Sequence, residues 1–434
     1  MRAKKVISSS FGNTSKDFSS VYRPERQQDA EFLKQYQPSN NKAILAVGNK
    51  LSYGDSCLND TLISSKRLNR FLEFNIDNNN ITTEPGVTFK DLYKLTPQII
   101  SPVLPGTMHA TIAGGVANDV HGKNQTKHGC IGQHINHIEL YLPSGTIHTS
   151  KDENSDLFYA TIGGLGLTGF IKKINLSILK SSHCLDVKKS AFIDLDHGIR
   201  QLTSKKNDFD YSAAWFDPYN KGRGILFNAN HINHQMPIVK QLKATIPVTP
   251  PFSLINKQTM KSFNRLYYNT MLKKPLNFQQ DLLSFNNPLD SIKNWQRLYG
   301  KNGLYQFQCI VPFIHCSEFM NLAFEIMQKH QASPSLAVMK KFNKDGLGLL
   351  SFAKPGITFA IDFPANKNNK ACIEELNQTL IDYQGRVYLA KDLLLNKEQF
   401  QTMYPQHNNF IEVLKKYNLN KVFQSKLSQR LEIY

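Results

Sequence analysis

The 434 residues exceed what one ordinary hydrophobic core encloses, and with 41% of them apolar they suffice for two. Lysine and arginine outnumber aspartate and glutamate 52 to 34, a formal charge of +18 that favours anionic partners; no arginine-rich tract or nucleic-acid-binding motif accompanies it, which sets nucleic acid aside. Six scattered cysteines with no C-x-x-C pair exclude a disulfide framework and a zinc site.

Residues 1–40 read as a polar arm with a short helix at 26–35, and the basic start MRAKKVISSSFG lacks the apolar stretch of a secretion signal. No run of about 18 apolar residues occurs, so a cytoplasmic protein without a membrane span is expected. NKAILAVGN predicts a buried strand entering the loop GNKLSYGDS. There Gly48 and Gly54 can take positive φ, while Asn49, Ser52 and Ser56 offer short polar side chains to a phosphate or polyol oxygen. The run PGTMHATIAGGVANDVHGKN (105–124) is too small and glycine-rich for packing core, yet Thr111, Ile112, Ala113 and Val116 interleave as they do in a packed element rather than a linker. Gly106, Gly114, Gly115 and Gly122 let backbone amides approach a large flat ligand, and Ala110, Ala113 and Ala117 keep side chains clear of it.

His121, His128, His134 and His137, with Cys130, have no acidic residue at ligand spacing, so no metal site is expected. GLGLTG (164–169) matches the G-x-G-x-x-G dinucleotide fingerprint in the wrong setting. NSDLFYATIG before it reads as a helix and FIKKINLSIL after it as a strand, the reverse of the strand-then-helix order that fingerprint requires.

From about residue 179 the glycines thin, and YSAAWFD (211–217), GILFNAN (224–230), LYQFQCIVPF (304–313) and ITFAIDFP (357–364) read as sheet strands. NLAFEIMQKH (321–330) and CIEELNQTLIDYQG (372–385), ended by Gly385, are the helices that brace them. Between Pro251 and Pro275, Met260, Phe263, Tyr267 and Met271 share a helical face beside Lys257, Lys261 and Arg265; this basic amphipathic helix reads either as a membrane-surface lid or as packing on the sheet. RVYLAKD (386–392) and a last helix follow.

PGTMHATIAGGVANDVHGKN, VGNKLSYGDS (47–56) and LFYATIGGLGLTGFI (157–171) together resemble the FAD-binding domain of the vanillyl-alcohol-oxidase type of flavoenzyme. YSAAWFD, NPLDSIKNWQRLYGKNG (287–303), AIDFP (360–364), RVYLAKD and VFQSKLSQRLEI (422–433) extend the likeness over nearly the whole chain, toward the branch that oxidises polyprenylphosphoryl ribose. The resemblance implies an α+β, two-domain FAD-binding fold with an antiparallel-sheet substrate cap: 1–180 binding FAD, 181–385 the cap, and 386–434 returning to the first domain. It assigns FAD contacts to Val47, Gly48, Asn49, Lys50, Leu51, Ser52, Tyr53, Gly54, Asp55 and Ser56, to Gly106, Thr111, Ile112, Ala113 and Gly114, and to Asn118, Asp119, Val120, His121, Ile171 and Tyr388. Members that attach FAD covalently carry a histidine where this chain has Leu51, so non-covalent FAD is expected.

The resemblance gives catalytic roles to Lys391 and His121 and a substrate pocket to Tyr53, Lys123, Trp215, Gln306, Gln308, Lys340, Phe342 and Ala360. The chain departs from the branch at Ala360, Thr358 and Ala213, where that branch has cysteine, asparagine and serine; a thiol is not required for alcohol oxidation, so the departures alter pocket shape and leave the chemistry. The implied activity is oxidation of a secondary sugar hydroxyl to a ketone, foremost the 2'-hydroxyl of a polyprenylphosphoryl-β-D-ribose. A short-chain NAD(P)H-dependent reductase would complete epimerisation to arabinose for the cell envelope, with peripheral contact to the anionic inner face of the membrane. A soluble aldonolactone or alditol oxidase, and a flavin-free basic binding protein that keeps the fold, are the alternatives.

Overall fold

The computed structural model describes residues 2–36, 43–96, 98–206, 208–233 and 244–434. The expected polar arm is a hairpin, Lys4–Ser9 against Lys16–Tyr22, followed by a 3-10 helix at Gln27–Gln35. Its strand pattern is disguised because Ser8 and Ser19 point inward while the cross-strand partners Ile7 and Phe18 face solvent. The hairpin continues through parallel pairing with Thr61–Ser64, which in turn pairs with Ile44–Val47, giving a four-stranded sheet. A second, antiparallel sheet has the order Phe71–Asn75, Asn80–Thr83, Phe170–Ser177, Ile135–Leu142, Gly145–Ser150. The GLGLTG run lies between the helix Ser155–Thr161 and the strand Phe170–Ser177, so its order is indeed helix then strand. Leu165 and Gly166 adopt left-handed φ of 59° and 77°, and Leu165 N–H donates to Ala117 O at 2.7 Å, binding this turn to the end of the helix Ile112–Ala117.

The third sheet is antiparallel and eight-stranded, in the order Asn277–Asp281, Cys184–Phe192, Gly224–His231, Tyr211–Phe216, Ala337–Phe342, Gly356–Pro364, Leu304–Val311, Arg386–Val387. Side chains alternate between faces along each strand, so register decides which residues meet. Phe307, Cys309, Phe359, Ile361, Met339 and Phe216 share one face, in a continuous core with the helices Leu195–Thr203, Cys316–Lys329 and Lys367–Asp382. The other face brings Gln306 opposite Asp362, Gln308 opposite Ala360, Val338 between Ala360 and Trp215, and Lys340 opposite Thr358. An α+β architecture with one polar, largely buried sheet face is the result.

The helix Lys257–Lys273 is capped by Asn256, whose side chain accepts from Gln258 and Thr259 N–H at 3.0 and 3.1 Å. It buries Met260, Asn264 and Tyr268 and leaves Tyr267 and Met271 half-buried. Phe263, expected on the same apolar face, is 54% exposed, as is Leu266 at 68%. The rotation is set by Asn264, whose Nδ2 donates to Asp217 Oδ1 at 3.0 Å inside the protein, so a polar residue occupies the middle of the buried stripe.

Candidate active site

The strand Ile44–Val47 delivers the loop 48–56 against the helix Ile112–Ala117 and the turn 388–392. Contrary to expectation neither Gly48 nor Gly54 takes a positive φ; Lys50 does, at 54°. The glycines are required by close approach instead. A Cβ on Gly48 would lie 2.2 Å from Thr111 Oγ1, and one on Gly54 would lie 1.6 Å from the carbonyl oxygen of Asp392. Arg430 braces this junction, its guanidinium meeting Asp55 at 2.8 and 2.9 Å and Asp392 at 2.9 Å. Thr111 caps the following helix by accepting Gly114 N–H at 3.1 Å. Asn287 and Asn286 hold the carbonyl of Pro105 at 2.8 and 3.3 Å, and Asp290 accepts Met108 N–H at 2.9 Å, fixing the entry to the glycine-rich run.

On the loop 48–56 and the segment 118–121, four buried polar atoms have no protein partner: Asn49 Oδ1, Ser56 Oγ, Asn118 Oδ1 and His121 Nδ1. A buried polar atom left unpaired costs about 1–3 kcal/mol, and their gathering on the loop 48–56 and the segment 118–121 is what a polar ligand laid along both would satisfy. Gly106 leaves open space where a side chain would stand. These residues therefore fit a dinucleotide of the FAD type. Asp119 differs from its neighbours. At φ 41° its carboxylate accepts from Gly132 N–H, Ser351 Oγ and Leu347 N–H at 2.9, 2.6 and 3.3 Å, so its side chain serves the turn and only its backbone is offered to a cofactor. Ile112 is likewise core, whereas Ile171 lies at the edge of it.

The polar sheet face meets this wall. Tyr388 N–H donates to Gln308 O at 2.9 Å and its hydroxyl donates to Asn118 O at 2.8 Å, tying sheet to wall. The strand at 386 ends at Val387, earlier than RVYLAKD suggests, and Lys391 N–H closes a turn on Tyr388 O at 2.8 Å. That turn lets Tyr388 and Lys391 face the same region although a continuous strand would separate them. Lys391 Nζ sits 3.8 Å from the Tyr53 ring centroid, a cation–π contact, and Tyr53 N–H donates to Ala390 O at 3.0 Å.

His121 packs among Phe342, Phe352 and Tyr388 with centroid separations of 4.8, 5.5 and 5.1 Å. Gln308 Nε2 lies 3.0 Å from His121 Nε2; with the amide donating, the ring carries its proton on the partnerless Nδ1. Burial first, then Lys340 and Lys391, hold its pKa well below the usual range, so the imidazole is neutral. Burial likewise pushes Lys391 down to about 7, with Lys340 adding to the effect and Asp362 opposing it. Lys340 is pushed down to about 8 by burial, and Lys123 to about 7 by burial and Lys340. Lys123 Nζ donates to Phe285 O at 2.5 Å. Trp215 closes the far end of the face against Tyr267, edge-on at 4.7 Å.

The predicted pocket residues Tyr53, Gln306, Gln308, Lys340, Phe342 and Ala360 are thus brought together with His121 and Lys391, with Lys123 and Trp215 toward its margin. Sequence reasoning passed over Asp362, which faces the same way from the strand Gly356–Pro364, and Phe352, which backs His121. The acid in the otherwise apolar run ITFAIDFP is the signal that marks Asp362. His128 and His134 belong to a different contact, His134 Nε2 lying 2.6 Å from His128 O, and among the described residues no group of three or more His, Cys, Asp or Glu gathers as a metal site would.

A protein-family model described as an FAD binding domain matches residues 18–151. Decaprenylphosphoryl-beta-D-ribose oxidase of Mycolicibacterium smegmatis is 30% identical over 416 residues, covering 90% of each chain. L-gulonolactone oxidase of Mus musculus is 25% identical over 206 residues, 45% of this chain and 44% of that one. D-lactate dehydrogenase of Anaerostipes hadrus is 27% identical over 141 residues, 31% of this chain and 29% of the other.

Proposed function

Because the chain belongs to the family of FAD-dependent oxidoreductases that includes decaprenylphosphoryl-beta-D-ribose oxidase and act on CH–OH groups, we propose that it oxidises the 2'-hydroxyl of a polyprenylphosphoryl-β-D-ribose to the ketone. The observation that carries this reading is the polar sheet face, where His121, Gln306, Gln308, Lys340 and Lys391 converge beside the wall with its unpartnered atoms. In this reading residues 1–180 and 386–434 hold FAD and 181–385 form the cap over it.

The loop 47–56, Gly106, residues 111–114 and 118–121, Ile171 and Tyr388 would hold FAD without a covalent bond, since Leu51 offers no nucleophile. Bound there, FAD supplies a two-electron acceptor for the carbinol C–H. The protein's own part is to orient and to balance charge. Lys391, fixed by its turn and by the Tyr53 ring, presents an ammonium to the substrate oxygen, and that charge is worth more in a water-excluded site than in solvent. His121 offers an N–H from Nδ1. Lys123 and Lys340 supply positive charge suited to a phosphoryl group.

The long prenyl tail favours this substrate over a free aldonolactone for a reason visible on the surface. Val248, Phe252, Leu254, Phe263, Leu266, Leu272 and Leu276 are all exposed, and residues 244–280 contain Lys257, Lys261, Arg265, Lys273 and Lys274 with no acid among them. Such a surface suits peripheral contact with an anionic bilayer, where a lipid-linked sugar resides. Among the described residues no helix is long and apolar enough to cross a membrane. A short-chain reductase would then return the ketone to the epimeric alcohol.

Anaerobic titration of the FAD-loaded protein with prenylphosphoryl ribose, aldonolactones and alditols tests the reading. Bleaching of the flavin bands by the prenylphosphoryl sugar is expected, and denaturing the same sample should release the flavin into solution. Bleaching by aldonolactones or alditols alone would overturn the substrate, and flavin left on the denatured chain would overturn non-covalent binding.

A further inference from the structure

Asp362 is fully buried (0% exposed) near the end of the strand Gly356–Pro364, on the face that carries Gln306, Gln308 and Lys340. Its Oδ1 accepts from Gln306 Nε2 at 2.5 Å; its Oδ2 is buried and accepts from no protein group. A carboxylate oxygen stripped of water and given no donor is costly, and a fold retains one where its lone pair is used. The ionisable groups facing it are Tyr53 from the loop 48–56, Tyr299 from the 3-10 helix Trp295–Tyr299, and Lys391 from the turn after Val387. Burial raises both phenols well above their usual range, so they are neutral, and Tyr299 is engaged with Ser335 Oγ at 2.7 Å. Lys391 is the cation of the set.

Turning an alcohol into a ketone removes two hydrogens, and the hydroxyl proton needs an acceptor. Protonated Lys391 has no lone pair to give, and His121 spends the lone pair of Nε2 on Gln308. Resting on the alcohol-oxidising reading of this site, we propose that Asp362 is its general base, Oδ2 taking the hydroxyl proton as the carbinol C–H bond breaks. The O–H pair stays on oxygen and becomes the second C=O bond, the proton passes to Oδ2, and the C–H pair with its hydrogen would go to the two-electron acceptor that bound FAD supplies. Lys391 steadies the negative charge that develops on the oxygen meanwhile.

The pH behaviour follows. Burial pushes Asp362 up to about 7, against the pull of its Gln306 bond and of Lys391, while Lys391 is pushed down to about 7. The working form pairs an ionised Asp362 with a protonated Lys391, so the rate falls below that range as the carboxylate takes a proton and above it as the ammonium loses one. The two limbs belong to the pair jointly.

The test is rapid-mixing reduction of the FAD-loaded enzyme by a short prenylphosphoryl ribose across pH, with wild type, Asp362→Asn and Asp362→Glu. Asp362→Asn should keep its flavin yet reduce it roughly 10²- to 10⁴-fold more slowly and without the acid limb, and Asp362→Glu should recover part of the rate. Infrared difference spectra of the wild type between acidic and alkaline pH give a second readout: a protonated-carboxyl band should vanish on the alkaline side and be missing in Asp362→Asn. If that variant fails to hold FAD, Asp362→Glu and the infrared band decide. Asp362→Asn reducing at the wild-type rate with its acid limb intact, or a wild type lacking the band, overturns the assignment. A wild type that no sugar alcohol reduces overturns the substrate reading instead.

Discussion

Lys391 shows how a single side chain acquires its role from what surrounds it. It is half-buried, its ammonium rests on the face of Tyr53, and the cost of desolvating that charge is visible in a pKa lowered to about 7. Negative charge arriving nearby during the reaction relieves that cost, so the interaction grows toward the transition state, where it accelerates the reaction. Lys391→Ala should therefore retain FAD, whose proposed contacts lie on the glycine-rich wall, while flavin reduction slows by on the order of 10² to 10³. Stopped-flow absorbance checks this, and an unchanged rate would move the role to His121 and Lys123. Gln308 is as dependent on context: one amide orients His121 and, through its backbone carbonyl, anchors Tyr388.

At the scale of elements, the junction of the loop 48–56 with the turn 388–392 leaves no room for adjustment. With the Asp392 carbonyl where a Cβ of Gly54 would stand, Gly54→Ala forces backbone rather than a flexible side chain to move. Loss of FAD affinity by at least tenfold is expected, with destabilisation of about 1–3 kcal/mol, read by flavin fluorescence on dilution and by denaturant titration. Strands such as ITFAIDFP and LYQFQCIVPF were legible because their apolar alternation is local. Their register was not, and register alone sets Gln306 against Asp362; that is why the aspartate went unassigned although its strand was found. The N-terminal hairpin escaped notice because serines fill its inward positions, and the outward turn of Phe263 follows from a distant acceptor, Asp217, that no helical periodicity encodes. Gly48 and Gly54 are required by close contact and not by positive φ, which the sequence pattern alone does not distinguish.

For the whole molecule, the basic and apolar surface around the helix Lys257–Lys273 is the face proposed to meet an anionic bilayer. On that proposal the exposed Phe252, Leu266 and Leu276 would enter the headgroup boundary, and the lysines beside them would add electrostatic attraction that salt screens over about 8 Å at physiological strength. Flotation with anionic liposomes should be strong at low salt and fall at high salt, and Leu266→Asp combined with Phe263→Asp should abolish it while leaving flavin content unchanged. Equal recovery of the wild type with and without anionic vesicles at low salt would assign this helix to packing alone.

The brace from Arg430 to Asp55 spans 375 positions of chain, and Ile44 is likewise bridged by Phe423. A ribosome adding about 5–20 residues per second makes the loop on the order of 20–75 s before the arginine that steadies it. Throughout that interval the nascent loop lacks its ion pair to Arg430, and until 38 residues before its end it also lacks the carbonyl of Asp392 that Gly54 packs beneath. With FAD placed on this loop as proposed, cofactor loading becomes a late event that follows completion of the chain.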